Sequence, residues 1–126
     1  MTKEDKKKLN VLSQTIFDKK GMNIIALDMR NFSTMTEYCV IAEGAVGRHV
    51  KSICAAIKGV MSEQGNVLYH CDGEQDGDWM VMDYGDVVIH VLTPDMREKY
   101  ALEELWNKAK IVDVEIIVDP ISSSGN

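Results

Sequence analysis

Trp79-Met80-Val81-Met82-Asp83-Tyr84-Gly85-Asp86-Val87-Val88-Ile89-His90-Val91-Leu92 is the stretch that decides the fold class. Two runs rich in β-branched, aromatic and other apolar residues flank Asp83-Tyr84-Gly85-Asp86, which is turn chemistry. The stretch therefore predicts two strands joined as an antiparallel hairpin. Strand alternation puts Trp79 and Val81 on one face and Met80 and Met82 on the other.

Upstream, Val46, Val50, Ile53, Cys54, Ile57, Val60 and Met61 recur at helical spacing, and the spacing predicts a helix over 46–64 ended by Gly65. Ile24-Ile25-Ala26-Leu27 and Tyr38-Cys39-Val40-Ile41-Ala42 are short continuous apolar runs, expected as strands buried on both faces. Val67-Leu68-Tyr69 is expected to start another strand. Leu9, Leu12 and Ile16 form a first helical stripe, which Lys19, Lys20 and a left-handed Gly21 would close. The polar residues 1–8 are expected to fray. Thr93-Pro94 starts a helix or helix pair that should run to about Lys108, and Ile111–Val118 could add an edge strand. Residues 120–126 read as a loose tail.

The order of elements predicts an α/β (α+β) domain with a mixed sheet of about five strands and helices packed on it. With 126 residues, 45% of them hydrophobic, the chain matches one domain over 1–126 and needs no staples. No apolar run approaches the roughly 20 residues of a membrane span, and the start Met1-Thr2-Lys3-Glu4-Asp5-Lys6 is not a secretory signal. Cys39, Cys54 and Cys71 are an odd count without zinc or disulfide spacing. They read as buried thiols in a reducing compartment, so a cytoplasmic location is expected.

The net charge is −6, with a pI near 5.0. That argues against a phosphate-binding main surface and suits a basic protein partner, although plain solubility explains the charge as well. Gly44-Ala45-Val46-Gly47-Arg48-His49 lies between a strand and a helix, where glycines can cradle an anion. Its spacing fits neither a dinucleotide nor a P-loop motif. It shares a G-x-x-G with RNA-clamping KH loops, and a tight turn is the simpler reading. Asp72, Glu74, Asp76, Asp78, Asp83 and Asp86 are dense enough to suggest Mg²⁺-dependent nucleotidyl transfer. They sit in a glycine-rich loop and around a turn, where a solvated loop accounts for them. His49, His70 and His90 are scattered, and no nucleophile motif accompanies them. His90 inside a strand reads as a hydrogen-bonded structural residue. The Trp79–Met82 stretch reads equally as core and as contact surface, since Met is pliable and Trp favours interface hot spots.

The run Asp78 to Val91 is similar to the D-W-x-V-x-D-x-G-D-V-V-V-H signature of the ribosomal silencing factor RsfS, or Iojap-like, family. Arg97-Glu98-Lys99-Tyr100-Ala101-Leu102-Glu103-Glu104-Leu105-Trp106 resembles its R-x-x-Y-x-L-E-x-L-W ending. Ile24 to Asp28 and Gly44 to Val50 match a family strand and helix start. Tyr84, Tyr38 and Val46-Gly47 depart from the family's usual residues. The resemblance implies a nucleotidyltransferase-like topology without its active site, so no enzyme activity and no cofactor. It implies binding to the large ribosomal subunit through its fourteenth protein, blocked subunit joining and repressed translation when nutrients are short. It also implies a homodimer in some members. The partner surface it implies includes Trp79 and Met82, with Met80, Asp83, Tyr84 and Asp86 around them. The alternative is a nucleotidyltransferase-like enzyme using Asp83, Asp86 and the Gly44–Gly47 turn. An enzyme requires those groups to converge on a pocket; a binder requires an exposed apolar patch.

Overall fold

The computed structural model describes residues 1–31, 36–100 and 108–118. Helix α1 (Lys3–Asp18) is followed by strands β1 (Met22–Asp28) and β2 (Tyr38–Glu43), then helix α2 (Gly47–Glu63). Strands β3 (His70–Asp72), β4 (Trp79–Asp83) and β5 (Val87–Leu92) come next, then the short helix α3 (Pro94–Lys99) and β6 (Lys110–Val112). The six strands form one mixed sheet in the order β3-β4-β5-β2-β1-β6, with β2–β5 its parallel pair. The sheet has six strands rather than about five because the chain returns after α3 to pair Lys110–Val112 with Ala26–Asp28 on β1.

The hairpin forms as its sequence requires. Trp79 pairs Leu92, Val81 pairs His90 and Asp83 pairs Val88, antiparallel. The Tyr84 N–H donates to the Val87 carbonyl, leaving Gly85 and Asp86 as a two-residue loop. Gly85 has φ of +89°, which a primed hairpin turn demands at this position and which glycine adopts without strain. Asp83 Oδ1 accepts the Gly85 N–H at 2.8 Å and fixes the turn.

One face of the sheet carries α1 and α2. Leu9, Leu12 and Ile16 from α1 and Val50, Ile53, Cys54, Ile57 and Met61 from α2 meet Val40, Met80, Met82, Ile89 and Val91 there. The larger core lies in this layer. β2 sits in the middle of the sheet and is buried along its whole length, as its unbroken apolar run predicts. α2 starts one residue later than its stripe, at Gly47, with Val46 as N-cap.

Four local expectations are corrected. α1 begins at Lys3, not Leu9, because Thr2 and Asp5 make a capping box: the Asp5 N–H donates to Thr2 Oγ1, and the Thr2 N–H to Asp5 Oδ2. Residues 3–8 are thereby helical. At the other end of α1 the left-handed residue is Lys20, with φ of 68°, rather than Gly21. The Gly21 N–H donates back to Ile16 O and the Lys20 N–H to Phe17 O, a Schellman closure. Gly21 is needed for space, since a Cβ there would lie 2.3 Å from Ile16 Cγ2. The third strand starts at His70, and Val67 and Tyr69 before it are exposed. Ile111–Val118 pairs only over its first two residues, joined by Lys110. Beyond that, the main-chain N–H groups of Glu115 and Ile117 donate to Asn10 and Gln14 on α1. The expected continuation of the helix past Tyr100 and the tail at 120–126 fall largely outside the described residues.

Candidate functional site: the outer face of the sheet

The second face of the sheet is read from the strand register. Asp72, Val81, His90, Ile41 and Ile25 form one row across it, and His70, Asp83, Val88, Cys39, Leu27 and Ile111 the next. Toward β2 and β1 the face closes into a second, smaller core of Leu27, Cys39, Ile41, Leu92 and Ala109, with Trp79 and Met96 packed against it. Toward β4 and β5 it stays half-exposed: Trp79, Val81, Val88 and His90 are neither fully buried nor free. Tyr100, at the C-cap of α3, is 49% exposed and borders it.

Three aromatic rings order this end of the face. The Trp79 indole N–H donates to His90 Nδ1 at 3.1 Å. The two ring centroids are 6.0 Å apart and tilted by 49°. Tyr100 meets Trp79 with centroids 4.9 Å apart at 53°, a tilted aromatic pair. Burial holds the His90 imidazole below its ordinary pKa of 6.5, so the ring is neutral at pH 7 and offers Nδ1 as an acceptor. His90 therefore is a hydrogen-bonded strand residue, as its setting predicts, and its partner is Trp79. Acids rim the patch: Asp72 and Asp83 flank it in the same register rows.

α3 is anchored beside the patch by a buried ion pair. Arg97 donates to Glu43 Oε2 at 2.9 Å and to the Asn23 carbonyl at 2.7 Å. Asn23 can offer that carbonyl because β1 bulges between Met22 and Ile25, with Asn23 at φ of 50°. Its side-chain amide also donates to Glu43 Oε1.

The expected contact residues divide by strand parity. Trp79 and Asp83 lie on the outer face. Met80 and Met82 point to the helix layer and are 3% and 0% exposed. Tyr84 is buried beneath the hairpin, where burial pushes its phenol up. The expectation that Met82, Met80 and Tyr84 present side chains to a partner is thus corrected: neighbours in a strand cannot share a face, and the bulge that would allow it is absent from β4, whose pairing with β5 is regular. Asp86 is held in an ion pair with Lys8 of α1 at 2.8 Å. Val81, Val88, His90 and Tyr100 belong to the patch and were missed. Parity alone identifies Val81, while Tyr100 arrives from a separate helix.

The alternative constellation is not brought together. The loop bearing Asp83 and Asp86 lies at the start of β5, whereas Gly44 follows Glu43, which pairs Leu92 at its end. Five residue steps separate them, about 17 Å at roughly 3.3 Å per residue. The glycine turn is tied down as a turn. The Ala45 N–H donates to His49 Nδ1 at 2.9 Å, and His49 Nε2 bonds the Lys19 carbonyl at 2.7 Å. A Cβ on Gly44 would lie 2.9 Å from Val50. Among the described residues no three of His, Cys, Asp and Glu are grouped to hold a metal ion, and no helix is long and apolar enough to cross a membrane.

Fold and face together define a small mixed-sheet protein that offers an apolar, acid-rimmed strand surface. The chain belongs to the ribosomal silencing factor RsfS family: the profile described as "Ribosomal silencing factor during starvation" matches residues 2–125. It is 33% identical over 110 residues to the ribosomal silencing factor RsfS of Halalkalibacterium halodurans, spanning 87% of this chain and 94% of that one. It is 34% identical over 107 residues to the RsfS of Bacillus subtilis, spanning 85% and 91%. A crystal structure of a Bacillus halodurans protein superposes with a TM-score of 0.76 at 31% identity, covering 86% of this chain and 98% of that one.

Proposed function

We propose that this chain is a non-enzymatic silencer of translation that docks on the large ribosomal subunit through its fourteenth protein and so blocks joining of the small subunit. The docking surface is the outer face of β4 and β5. What carries the reading is the half-exposed patch of Trp79, Val81, Val88, His90 and Tyr100, rimmed by Asp72 and Asp83. An apolar centre with an acidic rim suits a basic ribosomal protein, since the centre supplies affinity and the rim steers encounter. The protein acts in the cytoplasm on this reading, and its thiols support a reducing setting. A homodimer at high concentration is part of the proposal. Its support is the open side of β3 with exposed Val67 and Tyr69 beside it, rather than the buried methionines.

The test is cosedimentation with purified large subunits, beside a melting curve. Trp79→Ala should weaken binding roughly thirtyfold, taking about 2 kcal/mol for a buried aromatic anchor. Asp83→Asn should weaken it less, with an effect that fades at high salt. A folded Trp79→Ala protein that pellets with large subunits like the parent overturns the assignment of this face.

A further inference from the structure

Trp79 and His90 are diagonal neighbours across the hairpin, since Val81 pairs His90 and Trp79 pairs Leu92. Sheet geometry alone leaves a tryptophan side chain several rotamers at such a position. The indole N–H is a donor only, and a neutral imidazole has one acceptor nitrogen. The 3.1 Å bond from Trp79 Nε1 to His90 Nδ1 therefore fixes the His90 tautomer with its proton on Nε2, and fixes the indole edge. With the edge held, the indole lies tilted against Tyr100 at 4.9 Å. We propose that His90 is the positioning residue of the docking face: it holds the Trp79 indole in the one orientation that, with Tyr100, meets the partner. This inference rests on the reading of the outer face as the docking surface.

The arrangement has a chemical consequence. A proton on Nδ1 would set two N–H donors against each other and release the indole. The titratable groups on the elements around His90 are His70, Cys71 and Asp72 on β3, Asp83 on β4, Tyr38, Cys39 and Glu43 on β2, Asp95, Arg97, Glu98 and Lys99 on α3, and Tyr100 at its C-cap. Burial rather than any of these charges sets the direction in which His90 is shifted. Docking should therefore weaken on acidification through His90 itself.

The experiment uses the full chain and purified large subunits. The Trp79 indole N–H resonance is followed by ¹H–¹⁵N NMR and assigned against Trp106 with Trp79→Phe. His90→Leu removes the acceptor, and His90→Asn places an amide oxygen near Nδ1. His90→Leu should move the indole resonance and weaken binding about tenfold, and His90→Asn should restore both to within about threefold of the parent. The parent's binding should fall on acidification once pH drops through the burial-lowered pKa of His90, and that of His90→Asn should not. Trp79→Ala run alongside separates two failures. If Trp79→Ala weakens binding while a folded His90→Leu binds like the parent, the docking face stands and the positioning role is overturned. If Trp79→Ala binds normally, the docking face falls and the positioning role with it. Should His90→Leu not fold, an indole resonance in the parent that stays unmoved while the His90 ring resonances titrate overturns the proposal.

Discussion

Arg97 on α3 and Glu43 at the end of β2 form an ion pair at 2.9 Å, with both side chains buried. The two residues are 54 positions apart in the chain, and their contact docks α3, and with it Tyr100, beside the exposed end of the sheet. Arg97 also takes the Asn23 carbonyl, so one guanidinium clamps a helix, a central strand and a bulge.

Removing the cation alone should be costly. Arg97→Leu leaves the Glu43 carboxylate buried without its cation, and breaking one side of a buried pair costs about 3 kcal/mol. Urea unfolding should show that loss as a lower midpoint. A change below about 0.5 kcal/mol would show that the pair is solvated in solution.

The two faces of β4 should separate stability from binding. Met82 is fully buried against the helices, so Met82→Ala should destabilise by about 2–4 kcal/mol. Its remaining folded fraction should bind large subunits normally. Val81 lies on the half-exposed outer face, so Val81→Asp should weaken binding roughly tenfold with a smaller fall in Tm. Melting curves and cosedimentation on the same samples check both halves.

The half-buried imidazole of His90 makes stability depend on pH with a definite sign. The His90 pKa in the folded chain lies below the 6.5 of the unfolded chain. As pH falls through 6.5 the unfolded state takes the proton first, so the contribution of this residue is complete above 6.5 and is lost below it. Between about pH 7.5 and about pH 5.5 the urea midpoint of the parent should fall more than that of His90→Asn. Equal falls would show that His90 titrates in the folded chain as it does in the unfolded one.

The thiols should react in order of burial. Burial pushes Cys39 and Cys54 up to about 12, and Cys71 is raised as well but stays half-buried at the β3 edge. Iodoacetamide at about pH 8 should modify Cys71 first and leave Cys39 and Cys54 untouched until denaturant is added. Mass spectrometry of tryptic peptides reads the order. Rapid native labelling of Cys54 would show that α2 opens locally.

The sequence by itself determined the hairpin, α2 and the double burial of β2. These are local facts: Gly85 supplies a turn conformation, Val46–Met61 repeats at helical spacing, and Tyr38–Ala42 has no polar residue to face water. The D-W signature also placed the chain in its family, because a joint pattern over many positions is specific where single motifs are not. The tertiary structure alone decided which half of the Trp-Met stretch is surface. Alternation separates Trp79 from Met82 but does not say which side the helices cover; packing of α1 and α2 onto Met80 and Met82 does. It also decided that Tyr100 and His90 converge on Trp79, and that Asp83 and Gly44 stand at opposite ends of the sheet. Those relationships depend on strand order and register across distant segments. Pairing energies between segments far apart in the chain leave no periodic trace in either segment.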